Sequence, residues 1–137
     1  MTPEVQAFAS GFLITLVHAV VSLAILFAAV AIYAVLSPHK EVQQVRDGNG
    51  AASIALGGVI LSLAAPLAVS LSASPSLMEI GLWGLATSAV QLLVFRIIDL
   101  LLKGLPERVD EGDLTAAGLL SAAKFASALV LAAAVAG

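Results

Sequence analysis

Residues 114–136 read LTAAGLLSAAKFASALVLAAAVA, an almost unbroken apolar stretch in which Lys124 is the single ionisable residue. A transmembrane α-helix needs about 20 consecutive, mainly apolar residues, so this stretch is long enough to cross a bilayer. An ionisable side chain inside the hydrocarbon core is costly and normally has a partner there. Lys124 is therefore the first functional clue in the chain.

Three more apolar runs precede this stretch, at about 8–36, 51–72 and 78–102. Hydrophobic residues make up 61% of the chain and charged residues 11%, and the mean hydropathy is +1.09, far from the values of soluble domains. The sequence predicts an all-α integral membrane protein with four transmembrane helices. These helices are expected to form a single transmembrane domain over residues 1–137.

Composition and motifs exclude several classes of function. The net charge is -3 with only six Lys and Arg, which leaves no basic patch for nucleic acid. Cysteine is absent, so disulfides and thiolate metal sites are excluded, and His18 and His39 are expected on opposite sides of the membrane. The chain has no phosphate-binding loop, dinucleotide fingerprint or His-Glu-x-x-His motif. We expect no enzymatic activity, no cofactor and no metal.

The loop cations predict the orientation of the spans. Four of them lie in two loops, at Lys40, Arg46, Lys103 and Arg108, whereas the termini and the 73–77 turn hold none. Loops rich in Lys and Arg stay on the cytoplasmic side of a membrane. Both termini are therefore predicted to be extracytoplasmic.

An internal repeat is visible at an offset of 64 residues, where Asp47-Gly48-Asn49-Gly50 matches Glu111-Gly112-Asp113-Leu114. Each copy opens an even-numbered span. Glycine allows the turn, and Asn49 or Asp113 can cap the helix that follows. Helix capping alone explains the motif. Paired anion or partner-docking sites are the alternative, which the nearby carboxylates oppose.

The repeat divides the chain into two helical hairpins, at about 8–72 and 78–136. An even number of crossings separates the two copies of the motif, so both hairpins have the same orientation in the membrane. They are predicted to be parallel repeats about an axis along the membrane normal, unlike the inverted repeats of many secondary transporters.

Several of these residues also carry a resemblance to a known family. They are Tyr33 before Ser37-Pro38 with Glu41, the Asp47-Gly48-Asn49-Gly50-Ala51-Ala52 start with Leu56-Gly57-Gly58, Leu82-Trp83-Gly84, Gln91, Pro106, and Glu111-Gly112-Asp113. With them the chain resembles, over nearly its whole length, the YjfL-like bacterial inner-membrane family, classed as a domain of unknown function. The resemblance implies a multi-pass protein of the bacterial inner (plasma) membrane and supplies no catalytic residues.

The chain departs from the family pattern at Ser37, His39, Lys40 and Lys124. The resemblance therefore supports no role for Lys124.

Small residues at helical spacing lie on the second and fourth spans. In lipid such residues let helix backbones approach closely, which drives association. We expect the chain to form a homo-oligomer within the lipid bilayer, with packing through Ser53, Gly57, Gly58, Ser121 and Ala122. Packing within one chain only is the alternative.

Two residues inside the spans have both a structural and a functional interpretation. Pro66 removes a backbone hydrogen bond from the second span and tends to kink it, either as a static bend or as a hinge. His18, in the first span, can bond a backbone carbonyl or act in a proton relay.

Polar residues of the third span are predicted to meet Lys124. Side chains tilt toward the N-terminus of their helix, so Lys124 leans toward the cytoplasm and Asp99 leans into the membrane. Arg96 lies three residues before Asp99 on one face and can join the cluster. Gln91 is expected at the height of Lys124. The cluster is either an ion-paired staple between two helices or part of a permeation path.

Two classes of function follow from these features. The first is an oligomeric channel or transport-related component with a pore lined by the small-residue helices and the buried charges. The second is a membrane scaffold or accessory subunit that docks a cytoplasmic or membrane protein through its compact cytoplasmic loops.

Overall fold

Six helices and no strands make up the computed structural model of the chain, which describes residues 2–137. They are α1 (Pro3–Leu36), α2 (Glu41–Arg46), α3 (Gly50–Ala73), α4 (Leu77–Leu101), α5 (Leu105–Asp110) and α6 (Leu114–Ala136). By length and composition, α1, α3, α4 and α6 can each cross a membrane. The all-α fold with four transmembrane helices is confirmed.

The start of α1 differs from the predicted start at residue 8. Thr2 caps the helix by accepting a hydrogen bond from the Val5 N–H through its hydroxyl oxygen, at 3.3 Å, and Pro3 occupies the first turn. A cap and a proline fix where a helix begins, whereas the apolar run shows only where it becomes hydrophobic. With 34 residues α1 is about 51 Å long, well beyond the roughly 30 Å of a hydrocarbon core.

Two short helices lie where the sequence predicts only loops. α2 and α5 have six residues each, and they follow residues with left-handed backbone, Lys40 (φ 51°) and Gly104 (φ 90°). Six residues are too few to show a hydrophobic period, so the sequence carries no signal for these two helices. Consecutive spans run in opposite directions, so α2 and α5 lie at the same end of the bundle. We call this end the α2/α5 face.

The offset of 64 residues also relates α2 to α5, whose bounds match residue for residue. Gly48 (φ 90°) and Gly112 (φ 86°) both occupy the left-handed region, where a side chain would be strained. Asn49 caps α3 through the Ala52 N–H, at 3.2 Å, and Asp113 caps α6 through the Thr115 N–H, at 2.9 Å. The parallel relation of the two whole hairpins stays a prediction.

α3 is the central helix and packs against α1, α4 and α6. Its contact with α6 is the most extensive and begins with small side chains at the α2/α5 face. The core there consists of Ala51, Ala52, Ala55, Val109, Ala116, Ala117 and Leu120. A second core joins α1, α3 and α4 through Ala29, Tyr33, Val59, Leu63 and Phe95. Small residues allow the close backbone approach that helices in lipid need.

Pro66 is buried within α3, and the helix continues past it without interruption to Ala73. Proline lacks the N–H that would bond the carbonyl of Ser62 one turn earlier. A kink or hinge at this position stays a prediction.

We expect fusion reporters to place both termini outside the cytoplasm, because all four loop cations lie at the α2/α5 face. Alkaline phosphatase folds and works only outside the cytoplasm, and most fluorescent proteins mature only inside it. A phosphatase after Gly137 should be active, and a fluorescent protein there should be dark. The same fusions inserted after Gly104 should behave in the opposite way. A bright fluorescent fusion at the C-terminus would contradict this orientation.

Candidate functional site

Lys124 lies deep in the protein and is only 3% exposed. Its Nζ atom is 3.0 Å from Asp99 Oδ1, close enough for an ion pair but off the direction of a well-aligned hydrogen bond. The ammonium also lies 5.7 Å from the ring centre of Tyr33 and 5.5 Å from that of Phe95. Aromatic faces attract cations, so α1, α4 and α6 all contribute to the setting of this one charge.

Glu41 brings a second carboxylate to this region. The Tyr33 hydroxyl donates a hydrogen bond of 2.7 Å to Glu41 Oε1, and Glu41 is only 9% exposed. Its other oxygen, Oε2, is buried and has no hydrogen-bond partner within residues 2–137. Burial raises the pKa of Glu41, while the hydrogen bond from Tyr33 and the positive charge of Lys124 oppose that rise.

We call Tyr33, Glu41, Asp99 and Lys124 the buried charge cluster. It joins four helices, because Tyr33 lies on α1, Glu41 on α2, Asp99 on α4 and Lys124 on α6. Asp99 forms the ion pair with the Lys124 ammonium, and Glu41 adds a second carboxylate near it. Glu41 was missed because it meets Tyr33 only when the chain turns at Ser37-Pro38. A tyrosine and a glutamate on either side of that break are the signal that could have identified the pair.

Gln91 touches the backbone of Lys124 and not its ammonium. Its Nε2 donates to the Lys124 carbonyl at 3.3 Å and lies 3.2 Å from Ser127 Oγ. Its Oε1 is buried and lacks a hydrogen-bond partner within the described chain. The side chain therefore links α4 to α6 just beside the buried charge cluster.

Arg96 does not join the ion pair. Asp99 is bound to Lys124, and Arg96 is exposed with no carboxylate within 4 Å anywhere in residues 2–137. The prediction that Arg96 joins Asp99 and Lys124 in one cluster is therefore wrong. A spacing of three residues allows a pair on one helix, but the ammonium from α6 occupies the carboxylate instead.

Two adjoining cavities open beside Asp99. One, of about 340 Å³, lies between α1 and α4 and is lined largely by apolar side chains. The other, of about 520 Å³, lies between α4, α5 and the segment after α1. Both are lined by Pro38, Arg96 and Asp99. We call the two together the Arg96 cleft, and it joins the buried charge cluster to the α2/α5 face.

The turns of the repeat motif tie α2 to α5. Asn49 Nδ2 donates to the Val109 carbonyl at 3.0 Å, and Asp110 accepts from Gln44 Nε2 at 2.8 Å. Asp110 also lies 2.6 Å from His39 Nδ1.

The equivalent turn of the second repeat carries an ion pair in place of the Asn49 bridge. Arg108 Nε donates to Asp113 Oδ2 at 2.7 Å, and this bond lowers the pKa of Asp113 together with the N–H groups that Asp113 caps. The turn residues Asp47 and Glu111 end α2 and α5 at exposed positions.

The remaining predicted residues lie away from this site. His18 is half-buried on α1, and its ring makes no hydrogen bond within the described residues. Gly58 and Ser121 pack against each other inside the chain, where a Cβ on Gly58 would lie 2.6 Å from Ser121 Cβ. Ser53 and Ala122 are exposed, and Gly57 has open space where a side chain would begin.

The chain matches a known protein family. The family model described as Domain of Unknown Function (DUF350) matches residues 7–135. The chain is 34% identical over 88 residues to the inner membrane protein YjfL of Escherichia coli K12, and equally to YjfL of Escherichia coli O157:H7. Each match covers 64% of this chain and 66% of the relative, just under two thirds of the relative's length. No solved structure matches the chain.

The relatives and the four apolar helices together indicate a multi-pass protein of the inner membrane. The family match extends over nearly the whole chain. The chain belongs to the DUF350 family of inner membrane proteins.

Proposed function

We propose that this protein is a non-enzymatic, oligomeric channel or transport-related component of the inner membrane. The observation that supports this most is the composition of the buried charge cluster. A charged residue at the centre of a transmembrane helix costs about 2.5–3.5 kcal/mol on insertion scales, so such residues persist where they are paired or used.

An ion pair that only holds two helices together needs one acid and one base. Lys124 and Asp99 already supply both, at 3.0 Å. The cluster adds Glu41 from α2, with one carboxylate oxygen that has no hydrogen-bond partner in the described chain. A buried oxygen of this kind costs free energy without holding the helices together. Its presence favours a site that exchanges a proton or an ion over a purely structural pair.

The Arg96 cleft gives this site a route to water. Asp99 lines both of its cavities, while Lys124 lines neither and lies behind Asp99. Ions or protons from the α2/α5 face would reach Asp99 first and Lys124 second. Intramembrane ionisable residues that face a cavity are typical of ion and proton paths.

Flux through the purified protein tests the proposal directly. We expect proteoliposomes with the wild-type protein to carry a proton or small-ion current, and Glu41→Gln to reduce it strongly without loss of folding. Glu79→Gln is the matched control, because Glu79 is an exposed carboxylate in the first turn of α4, at the opposite end of the bundle. Equal currents in Glu41→Gln and wild type would show that Glu41 of the buried charge cluster is not needed for ion flux.

A scaffold or accessory subunit is the second candidate. It is favoured by the hydrogen bonds that join α2 to α5 through Asn49 and Asp110, because they form one ordered surface at the α2/α5 face. A scaffold would bind a protein partner there and conduct nothing. Wild-type proteoliposomes that show no current above empty liposomes would support this candidate over the first.

The proposed oligomer needs a helix surface that makes no contacts within a single chain. Ser53, Gly57 and Ala122 leave such surface open, whereas Gly58 and Ser121 are used in the contact between α3 and α6. Gly57→Leu should therefore block association while leaving the single chain folded, because a large side chain prevents close helix approach. Light scattering in mild detergent should show a wild-type oligomer and a smaller Gly57→Leu species. An unchanged oligomer would exclude Gly57 from the interface.

A further inference from the structure

Arg96 is a guanidinium in a span without a protein counter-ion. It lies five residues before Leu101, the last residue of α4, or about 7.5 Å along the helix axis. Asp99, the nearest acid on the same helix face, is bound to Lys124, and no other carboxylate lies within 4 Å of Arg96 in residues 2–137. An arginine inside a span is costly unless its guanidinium reaches the interface or an anion.

Two cations of the Arg96 cleft have no ion pair within residues 2–137. The carboxylate of Asp99 pairs with Lys124, outside the cleft. Arg96 and Lys103 line the cleft with Glu107 as the other carboxylate. Lys103 is exposed, and like Arg96 it has no ion pair in the part of the chain that the structure describes. Both cations line the same cavity, so one anion can approach both.

The other half of the cleft is apolar. Leu36, Leu92 and Phe95 line the cavity between α1 and α4, and Leu36 is exposed at the end of its helix. On α4 this wall extends one turn from Arg96 toward the middle of the span, to Leu92. A ligand that fits both halves has an anionic head and a hydrocarbon tail.

We propose that the Arg96 cleft binds one anionic phospholipid, with its phosphate against Arg96 and Lys103 and an acyl chain along the groove between α1 and α4. Arginine pairs with phosphate through two parallel N–H···O bonds, and basic pockets beside transmembrane helices bind anionic headgroups. The bound lipid neutralises Arg96. A lipid bound here would lie in the cleft that the proposed function uses as its route to water. Lipid binding is measured without ion flux, so the two proposals can fail separately.

Native mass spectrometry of the detergent-purified protein tests the proposal with two lipid probes. Phosphatidylglycerol is anionic and phosphatidylcholine is zwitterionic, and both carry the same phosphate and acyl chains. We expect the wild type to bind phosphatidylglycerol in preference to phosphatidylcholine. Arg96→Gln should weaken phosphatidylglycerol binding about five-fold, and Lys103→Gln by a similar factor, which corresponds to one cation each.

Two further variants act as controls. Arg46→Gln removes an exposed cation of α2 that does not line the cleft, and it should bind phosphatidylglycerol as the wild type does. Arg96→Lys keeps the charge and should retain most of the affinity. Arg96 is exposed, so its variants should elute and melt like the wild type.

Three results would overturn the proposal. The first is equal binding of the two lipids, and the second is unchanged phosphatidylglycerol binding in Arg96→Gln. The third is displacement of phosphatidylglycerol by inorganic phosphate at matched concentration, which would assign the site to a free anion. Continued lipid binding in the presence of phosphate supports the lipid site.

Discussion

Gly58→Leu is expected to unfold the protein or to separate α3 from α6, and to lower its stability by about 3 kcal/mol or more. A Cβ at this position would lie 2.6 Å from Ser121 Cβ and 2.9 Å from Ser121 Cα. The second distance is to backbone, so a rotamer change of Ser121 cannot relieve the clash. The helices would have to move apart along the most extensive contact in the fold.

Gly57→Leu is the matched control, because it adds the same side chain one residue earlier in the same helix. A Cβ on Gly57 meets no atom within 4 Å, and leucine is a better helix former than glycine by up to about 1 kcal/mol. We therefore expect its monomer to be at least as stable as the wild type. Unfolding in mixed micelles with increasing dodecyl sulfate, followed by circular dichroism, measures both variants on one scale.

A second substitution separates steric clash from other effects of Gly58. Gly58→Ala should destabilise less than Gly58→Leu, and Ser121→Gly should recover part of that loss by removing the nearest atoms. Ser121→Gly also removes the hydrogen bond that Ser121 Oγ donates to the Ile54 carbonyl, at 2.8 Å, so recovery is incomplete. Equal stability of Gly58→Leu and Gly57→Leu would contradict the close contact between α3 and α6.

Much of the fold follows from hydrophobic runs and caps that are visible in the sequence. The end of the first span at Leu36 is set by Ser37-Pro38, and the starts of α3 and α6 are set by Asn49 and Asp113. These signals are local, so they can be read without the tertiary structure. α2 and α5 lack such a signal, since each is shorter than two turns. Each packs mainly against the following span of its own repeat, and hydrogen bonds through Gln44 and Asn49 add links to the other repeat.

The site was predictable where helix geometry alone decides a contact. Lys124 leans toward the start of α6 and Asp99 toward the start of α4, and the two helices are antiparallel, so the side chains converge. Glu41 was not predictable in this way. Its position depends on how α2 packs against the spans, which local sequence does not determine. Whether Asp99 pairs with Arg96 or with Lys124 also depends on how the helices pack.

Asp99→Leu should destabilise the protein strongly, by about 3–5 kcal/mol, because it leaves the buried Lys124 ammonium without its ion-pair partner. Lys124→Met should cost less, because the Asp99 side chain is 21% exposed and lines the Arg96 cleft. The double variant should recover most of this loss, since a hydrophobic contact can replace a buried ion pair of similar volume. Glu41 then keeps the hydrogen bond from Tyr33 but loses the nearby ammonium. A small residual destabilisation of the double variant is therefore expected from Glu41.

The same double variant distinguishes a staple from a transport site. If Lys124 and Asp99 only hold α4 to α6, restoring stability also restores ion flux. In the proposed function the double variant is stable and inactive, because the ionisable groups are the path itself. The exposed pair of Arg108 and Asp113 gives a control cycle on the same protein, and it should show weaker coupling because water screens it. Coupling between Lys124 and Asp99 no larger than the roughly 0.3–0.5 kcal/mol scatter of independent sites would mean that the two residues do not form an energetically significant pair.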